Sequence, residues 1–277
     1  MKTLPPQSIL MWSAVISILV VICSVAGLVD PQVYAKETEN WAGQAKGQDL
    51  GNLIAAVVLV VAAVRYRKGS LRAGLVWLGT LLYLIYAFIV YAVAVHLNHL
   101  FLVYVAVLGL CAWTVLFNVT HLRSESVLHP TDRSRRVAAW VIIATGVLFT
   151  GLWLSELVPA LLTGMVPASL TEAGLWVNPI HVIDLAVVLP GFIVSGVATL
   201  GRRAHGLFWL APWLVFSALM GSSIIAAMVV LISAGADNTA PATVMVSLVV
   251  LASLLAVWAY LRTARPATSP DATRAQQ

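Results

Sequence analysis

The residues of this sequence that can do chemistry are few, and several of them share one short run. Asn178-Pro179-Ile180-His181-Val182-Ile183-Asp184 spaces an amide, an imidazole and a carboxyl three residues apart. At 100° per residue, Asn178, His181, Asp184, Gly191, Ser195 and Thr199 fall within about 140° of arc on one helix, so one face is small or polar throughout. His181 and Asp184, one turn apart, could share a proton, ligate a metal ion together, or simply pair so that burial is tolerated. A small and polar face is also what close helix packing requires, and Ser217 and Gly221 show the same small-xxx-small spacing. Pro190 removes a backbone donor and Gly191 follows it, which predicts a kink with loosened carbonyls there.

Further candidates stand at other points in the chain. Asp49 and Asn52 open one apolar run, Glu156 precedes Pro159 near the end of another, and His96, Asn98 and His99 fill the turn between two more. Together with His181, Asp184 and Asn178 they could line a single pocket. His181, Asp184, His96 and His99 could hold a transition metal, or the group could relay protons or bind a polar ligand. Each also lies near an expected helix end, where caps and solvated headgroups tolerate polarity at little cost. Tyr83, Tyr86, Tyr91 and Tyr104 could line a cavity, although packing is the plainer role for such rings. Cys23 and Cys111 form no ligand or disulfide spacing and read as buried packing thiols. No Lys lies in the middle of an apolar run, which argues against a retinal Schiff base, and HExxH, P-loop, GxSxG and CxxCH motifs are absent.

The elements that must position these residues follow from composition. Hydrophobic residues make up 61% of the 277 and charged ones 10%, with a mean hydropathy of +0.95, far from the usage of water-soluble domains. Lipid is the natural solvent. A span needs roughly 20 mostly apolar residues, and eight stretches qualify: 9–29, 50–66, 73–95, 100–120, 137–158, 180–200, 207–234 and 242–261. The expectation is an all-α polytopic transmembrane bundle, a single membrane domain over 1–264 with a disordered tail at 265–277. The second stretch is short and the seventh long enough to tilt. A Lys near the start and small residues from Ser24 to Gly27 could instead mark span one as a signal peptide, but its apolar run is too long for one.

Basic residues alternate between the stretches: Lys2, then Arg65, Arg67, Lys68 and Arg72, then Arg123, Arg133, Arg135 and Arg136, then Arg202 and Arg203, then Arg262 and Arg265. By the positive-inside rule these connections and both termini are cytoplasmic, and the net charge of +5 reflects topology, not nucleic-acid binding. Asp30, Glu37, Glu39, Asp49, Glu172 and Asp237 then fall outside, with the segment 30–49 as an outer loop. Trp77, Trp140, Trp209 and Trp258 lie close to the Arg clusters, where an indole anchors in the headgroup region.

Gly47-Gln48-Asp49, Gly69-Ser70-Leu71-Arg72 with Trp77-Leu78-Gly79, and Asn178 through Leu185 with Leu189-Pro190 together resemble an uncharacterised family of bacterial multi-pass membrane proteins. The likeness runs from span two to span seven. It implies a bacterial inner-membrane address and carries no activity or cofactor. From the residues themselves, the leading expectation is transport or binding of a small molecule, proton or ion in a polar pocket of the outer leaflet beside a kinked sixth span. The alternatives are a membrane-embedded metal- or haem-dependent enzyme and a structural or assembly protein whose polar residues serve packing.

Overall fold

In lipid every backbone N–H and C=O must be satisfied within the chain, so apolar runs of this length fold as helices. The computed structural model describes residues 6–125, 128–235 and 240–266. Among them lie α1 (Pro6–Val29), α2 (Glu39–Arg67), α3 (Leu71–Ala94), α4 (Phe101–Glu125), α5 (Asp132–Thr163), the short α6 (Ala168–Ala173), α7 (Pro179–Leu200), α8 (Ala204–Ser233) and α9 (Ala240–Thr263). All but α6 are long and apolar enough to cross a membrane. The chain is thus an all-α polytopic bundle and an integral membrane protein. Eight crossings return the end of α9 to the side on which α1 begins. Leu128–His129 also pair antiparallel with Arg265–Pro266. Lys2, Asp237 and the tail from 267 onward, expected to be disordered, lie outside the described residues.

Local chemistry sets the helix ends. Thr38, Ser70 and Thr131 cap α2, α3 and α5 with their hydroxyl oxygens, Asn178 caps α7 ahead of Pro179, and Gly164 closes α5 in the left-handed conformation at φ 69°. One boundary differs substantially from expectation. The second span begins at Glu39 and not at residue 50, so 39–49 is helix and not loop. Some of the polar residues that conceal this helix in a hydropathy reading face protein: Asp49 is buried and Gln48 donates to Tyr83 at 2.6 Å, while Trp41 donates its indole N–H to the Ala94 carbonyl at 2.8 Å.

The spans close into two rings of four. In the first, α1 packs on α2, α2 on α3, α3 on α4, and α4 back on α1; in the second, α5 packs on α7, α7 on α8, α8 on α9, and α9 back on α5. The rings join where α2 and α3 meet α8. That seam is built on small residues. Gly43, Gly47 and Gly51 of α2 stand against Leu231, Ala227 and Ser223 of α8, and a methyl group on any of the three would collide with its partner. The four-residue spacing of the three glycines, met by Ser223 and Ala227, is the small-xxx-small arrangement that lets two helix backbones approach closely in a membrane.

The connections sort by charge. Arg65, Arg72, Arg123, Arg135, Arg202 and Arg262 gather at one end, called here the basic end, and Asp30, Glu37, Glu39 and Glu172 at the opposite, acidic end. Some of the basic residues also serve the fold. Arg135, buried, donates from Nη1 to the last carbonyls of α7, Thr199 at 2.7 Å and Leu200 at 2.8 Å, while Arg72 donates to the Ala264 carbonyl at 2.6 Å. Trp140 and Trp258 are exposed at this end, with the Arg262 guanidinium 4.9 Å above the Trp258 ring. Trp77 is a correction to the expected interfacial belt. It is fully buried, and its indole N–H donates to Ser13 of α1 at 2.8 Å, because it lies on the inward face of α3.

Candidate functional site

The acidic half of the bundle holds a chamber of about 260 Å³ where the two rings meet, walled by α2, α3, α5, α7, α8 and α9. Its lining is dominated by aromatic, aliphatic and methionine side chains such as Phe149, Phe192, Phe216, Met220 and Met245. Polar atoms enter from Gln44, Gln48, Tyr91, Thr145, Ser217 and Ser223. Among the described lining residues Asp184 supplies the one carboxyl, with no Lys, Arg or His beside it in the wall.

Asp184 owes its position to an irregular turn. Residues Asp184–Val188 wind as a π turn, and the Leu189 N–H reaches back five residues to the Asp184 carbonyl. In a regular helix the Pro190 ring would press on the carbonyl of Ala186; the wider turn removes that conflict. The sequence places the irregularity at Pro190-Gly191. It lies one turn earlier, and α7 continues through it. The carboxylate accepts a hydrogen bond from Trp153 Nε1 at 2.8 Å, and the Tyr86 hydroxyl also bonds to it.

Trp153 has a second neighbour, because its ring lies 4.6 Å from that of His181. His181 Nε2 is 3.9 Å from Glu156 Oε2, and the other oxygen of Glu156 accepts from Ser169 of α6. His181 and Asn178 line a second, open groove of about 660 Å³ formed by the end of α5, the 164–178 connection and the start of α7. Its rim is apolar, with Leu161 and Met165 exposed and Trp176 96% exposed. His181, Asp184 and Glu156 are therefore grouped around Trp153, whereas the Asn178 side chain is occupied in capping, accepting from Ile180 N–H at 2.9 Å.

Asp49 and Asn52 form a separate group in the first ring. Asp49 Oδ2 accepts from Tyr34 at 2.7 Å and Oδ1 from Tyr91 at 2.8 Å; Asn52 Nδ2 donates to Tyr91 at 3.4 Å and Gln48 Nε2 to Tyr83 at 2.6 Å. Tyr34 lies in the connection between α1 and α2, and burial beside the Asp49 charge pushes its phenol far above the ordinary value, so it stays a hydroxyl donor. His96 and His99 lie apart again. His96 meets Glu37 through its ring at 3.0 Å and its backbone N–H at 2.7 Å, and His99 approaches Asp30 at 3.4 Å. These contacts tie the α1–α2 connection to the α3–α4 turn. Among the described residues no three His, Cys, Asp or Glu side chains come together as a metal-ligand set.

The aromatic residues combine packing with polar contacts. Tyr91 stacks on Tyr104 with centroids 5.2 Å apart, and Tyr86 packs edge-on against Phe216 at 5.5 Å. Trp153 and Tyr34 are absent from any reading by spacing, since their carboxylate partners are 31 and 15 residues away. The fold and site define a multi-pass α-helical membrane protein with an intramembrane chamber. Compared with protein families, curated proteins and solved structures, the chain matches none.

Proposed function

We propose that this chain binds a small, largely apolar molecule in the chamber, anchors one polar group of it on Asp184, and serves its movement across or within the membrane. The observation that supports this is the lone carboxyl, among the described lining residues, in a mostly apolar cavity, carried on a π turn in mid-helix. Such turns and intramembrane ionisable groups recur at functional sites. A mostly apolar wall with a few polar groups and a single carboxyl suits amphipathic ligands, and a carboxylate favours a hydroxyl- or amine-bearing head. With the basic end cytoplasmic, as the positive-inside rule directs, the chamber lies in the outer leaflet of a bacterial inner membrane.

The test is ligand-dependent thermal unfolding of the purified protein in detergent, with long-chain alcohols, alkylamines and isoprenoid quinols as probes. A probe that stabilises the wild type, and stabilises Asp184→Asn less, supports the reading. A folded Asp184→Asn variant that responds to every probe as the wild type does would overturn it.

A further inference from the structure

Asp49 poses a problem of charge that the chamber does not solve. The residue is 1% exposed at the acidic end of α2, and among the described residues no Lys, Arg or His forms an ion pair with it. Lys46, three residues away on the same helix, is exposed. A carboxylate buried at the edge of a membrane without a counter-charge is costly, and it persists where a cation or a proton completes it.

Two phenols converge on it. Tyr34 and Tyr91 each place a hydroxyl at one oxygen of Asp49, at 2.7 and 2.8 Å. Tyr91 Oη also lies 3.1 Å from the Ala45 carbonyl. Ser24 of α1 supplies a second, independent sign. It lies beside the Asp49 carboxylate and interacts with it, is fully buried, and its Oγ forms no hydrogen bond of ordinary geometry. An unsatisfied buried hydroxyl is uncommon and calls for a ligand. Gly27, one turn on from Ser24, brings the α1 backbone against the same group: a methyl there would strike Asp49 Oδ2 and lie 2.7 Å from Tyr34 Oη.

We propose that Asp49, Ser24, Tyr34 and Tyr91 form a sodium-ion site between α1, α2, α3 and the α1–α2 connection. All these donors are hard oxygens, which suit an alkali or alkaline-earth cation and not a transition metal. A single carboxylate matches one positive charge, whereas calcium sites draw on six to eight oxygens and usually several carboxylates. The inference stands apart from the chamber ligand. Tyr91 nevertheless lines the chamber as well, so an ion at Asp49 and a molecule in the chamber share a wall, and their affinities would be reciprocally linked.

The experiment is thermal unfolding of the full chain in detergent, with no chamber ligand added, as sodium chloride replaces choline or potassium chloride at constant ionic strength. The expected result is a saturable, sodium-specific rise in Tm that Asp49→Asn abolishes. Ser24→Ala, which removes the hydroxyl beside Asp49 but keeps the carboxylate and both phenols, should change the Tm in choline far less than it raises the sodium midpoint, which should rise about tenfold or more. Should Asp49→Asn fail to fold, the Ser24→Ala titration decides. No sodium-specific rise in the wild type overturns the proposal, as does one that both variants retain. A stability that follows pH through Asp49 and ignores sodium would make the group a proton site and overturn it equally. A chain that responds to sodium but to no chamber probe fails only the functional reading, and the converse result fails only this one.

Discussion

The indole of Trp153 bridges the two ionisable residues of α7, donating to the Asp184 carboxylate at 2.8 Å while its ring lies 4.6 Å from the His181 imidazole. Trp153→Phe keeps most of the ring volume and removes the donor. A buried carboxylate that loses a donor costs about 1–3 kcal/mol, so this variant should unfold at lower temperature than the wild type. It should also lose stabilisation by any probe that binds through Asp184. Equal Tm values for the two proteins would show that the indole N–H contributes nothing there.

The α2–α8 seam gives a contrast between glycines. Gly47→Ala forces a methyl into the Ala227 backbone, and overpacking of this kind costs about 1–3 kcal/mol. Gly109 in α4 meets nothing within 4 Å, so Gly109→Ala should be neutral or stabilising by up to about 1 kcal/mol, since alanine is the better helix former. Thermal unfolding of the two variants side by side separates packing from propensity.

Arg135 is a structural cation. Arg135→Ala strips the Thr199 and Leu200 carbonyls of their shared donor, and the loss should be about 1–3 kcal/mol. Arg135→Lys should recover only part of it, because an ammonium lacks the planar fork. A lysine variant as stable as the wild type would mean that charge alone suffices.

Orientation can be read by labelling. Cys23 and Cys111 are buried, so single cysteines at Asn40, Leu170, Ser70 and Pro130 report independently. With the basic end cytoplasmic, an impermeant maleimide added to whole cells should label positions 40 and 170, and label 70 and 130 only after permeabilisation. The opposite pattern would invert the topology.

The eight spans were legible because hydrocarbon imposes one backbone solution on any apolar run of sufficient length. Hydropathy misplaced the start of α2 because Gln44, Gln48 and Asp49 are polar yet face protein, and a hydropathy window cannot tell a solvated residue from one partnered by Tyr83 or Tyr34. Pro190 announced an irregular helix, but the register of the π turn depends on how α7 seats against α5 and α8. Within the site, the i, i+3 pair of His181 and Asp184 was visible from spacing alone. The indole and phenols that orient the carboxylates were not, since those pairings exist only after separate helices have packed. The arrangement in two rings left no internal repeat in the sequence by which to find it.

The glycine ladder between α2 and α8 leaves no slack for either helix to slide or roll against the other. Those two helices form a fixed keel running through both halves of the molecule. The opposite wall of the cavity differs in kind, because there the wide turn at Asp184 interrupts the regular hydrogen-bond ladder of α7.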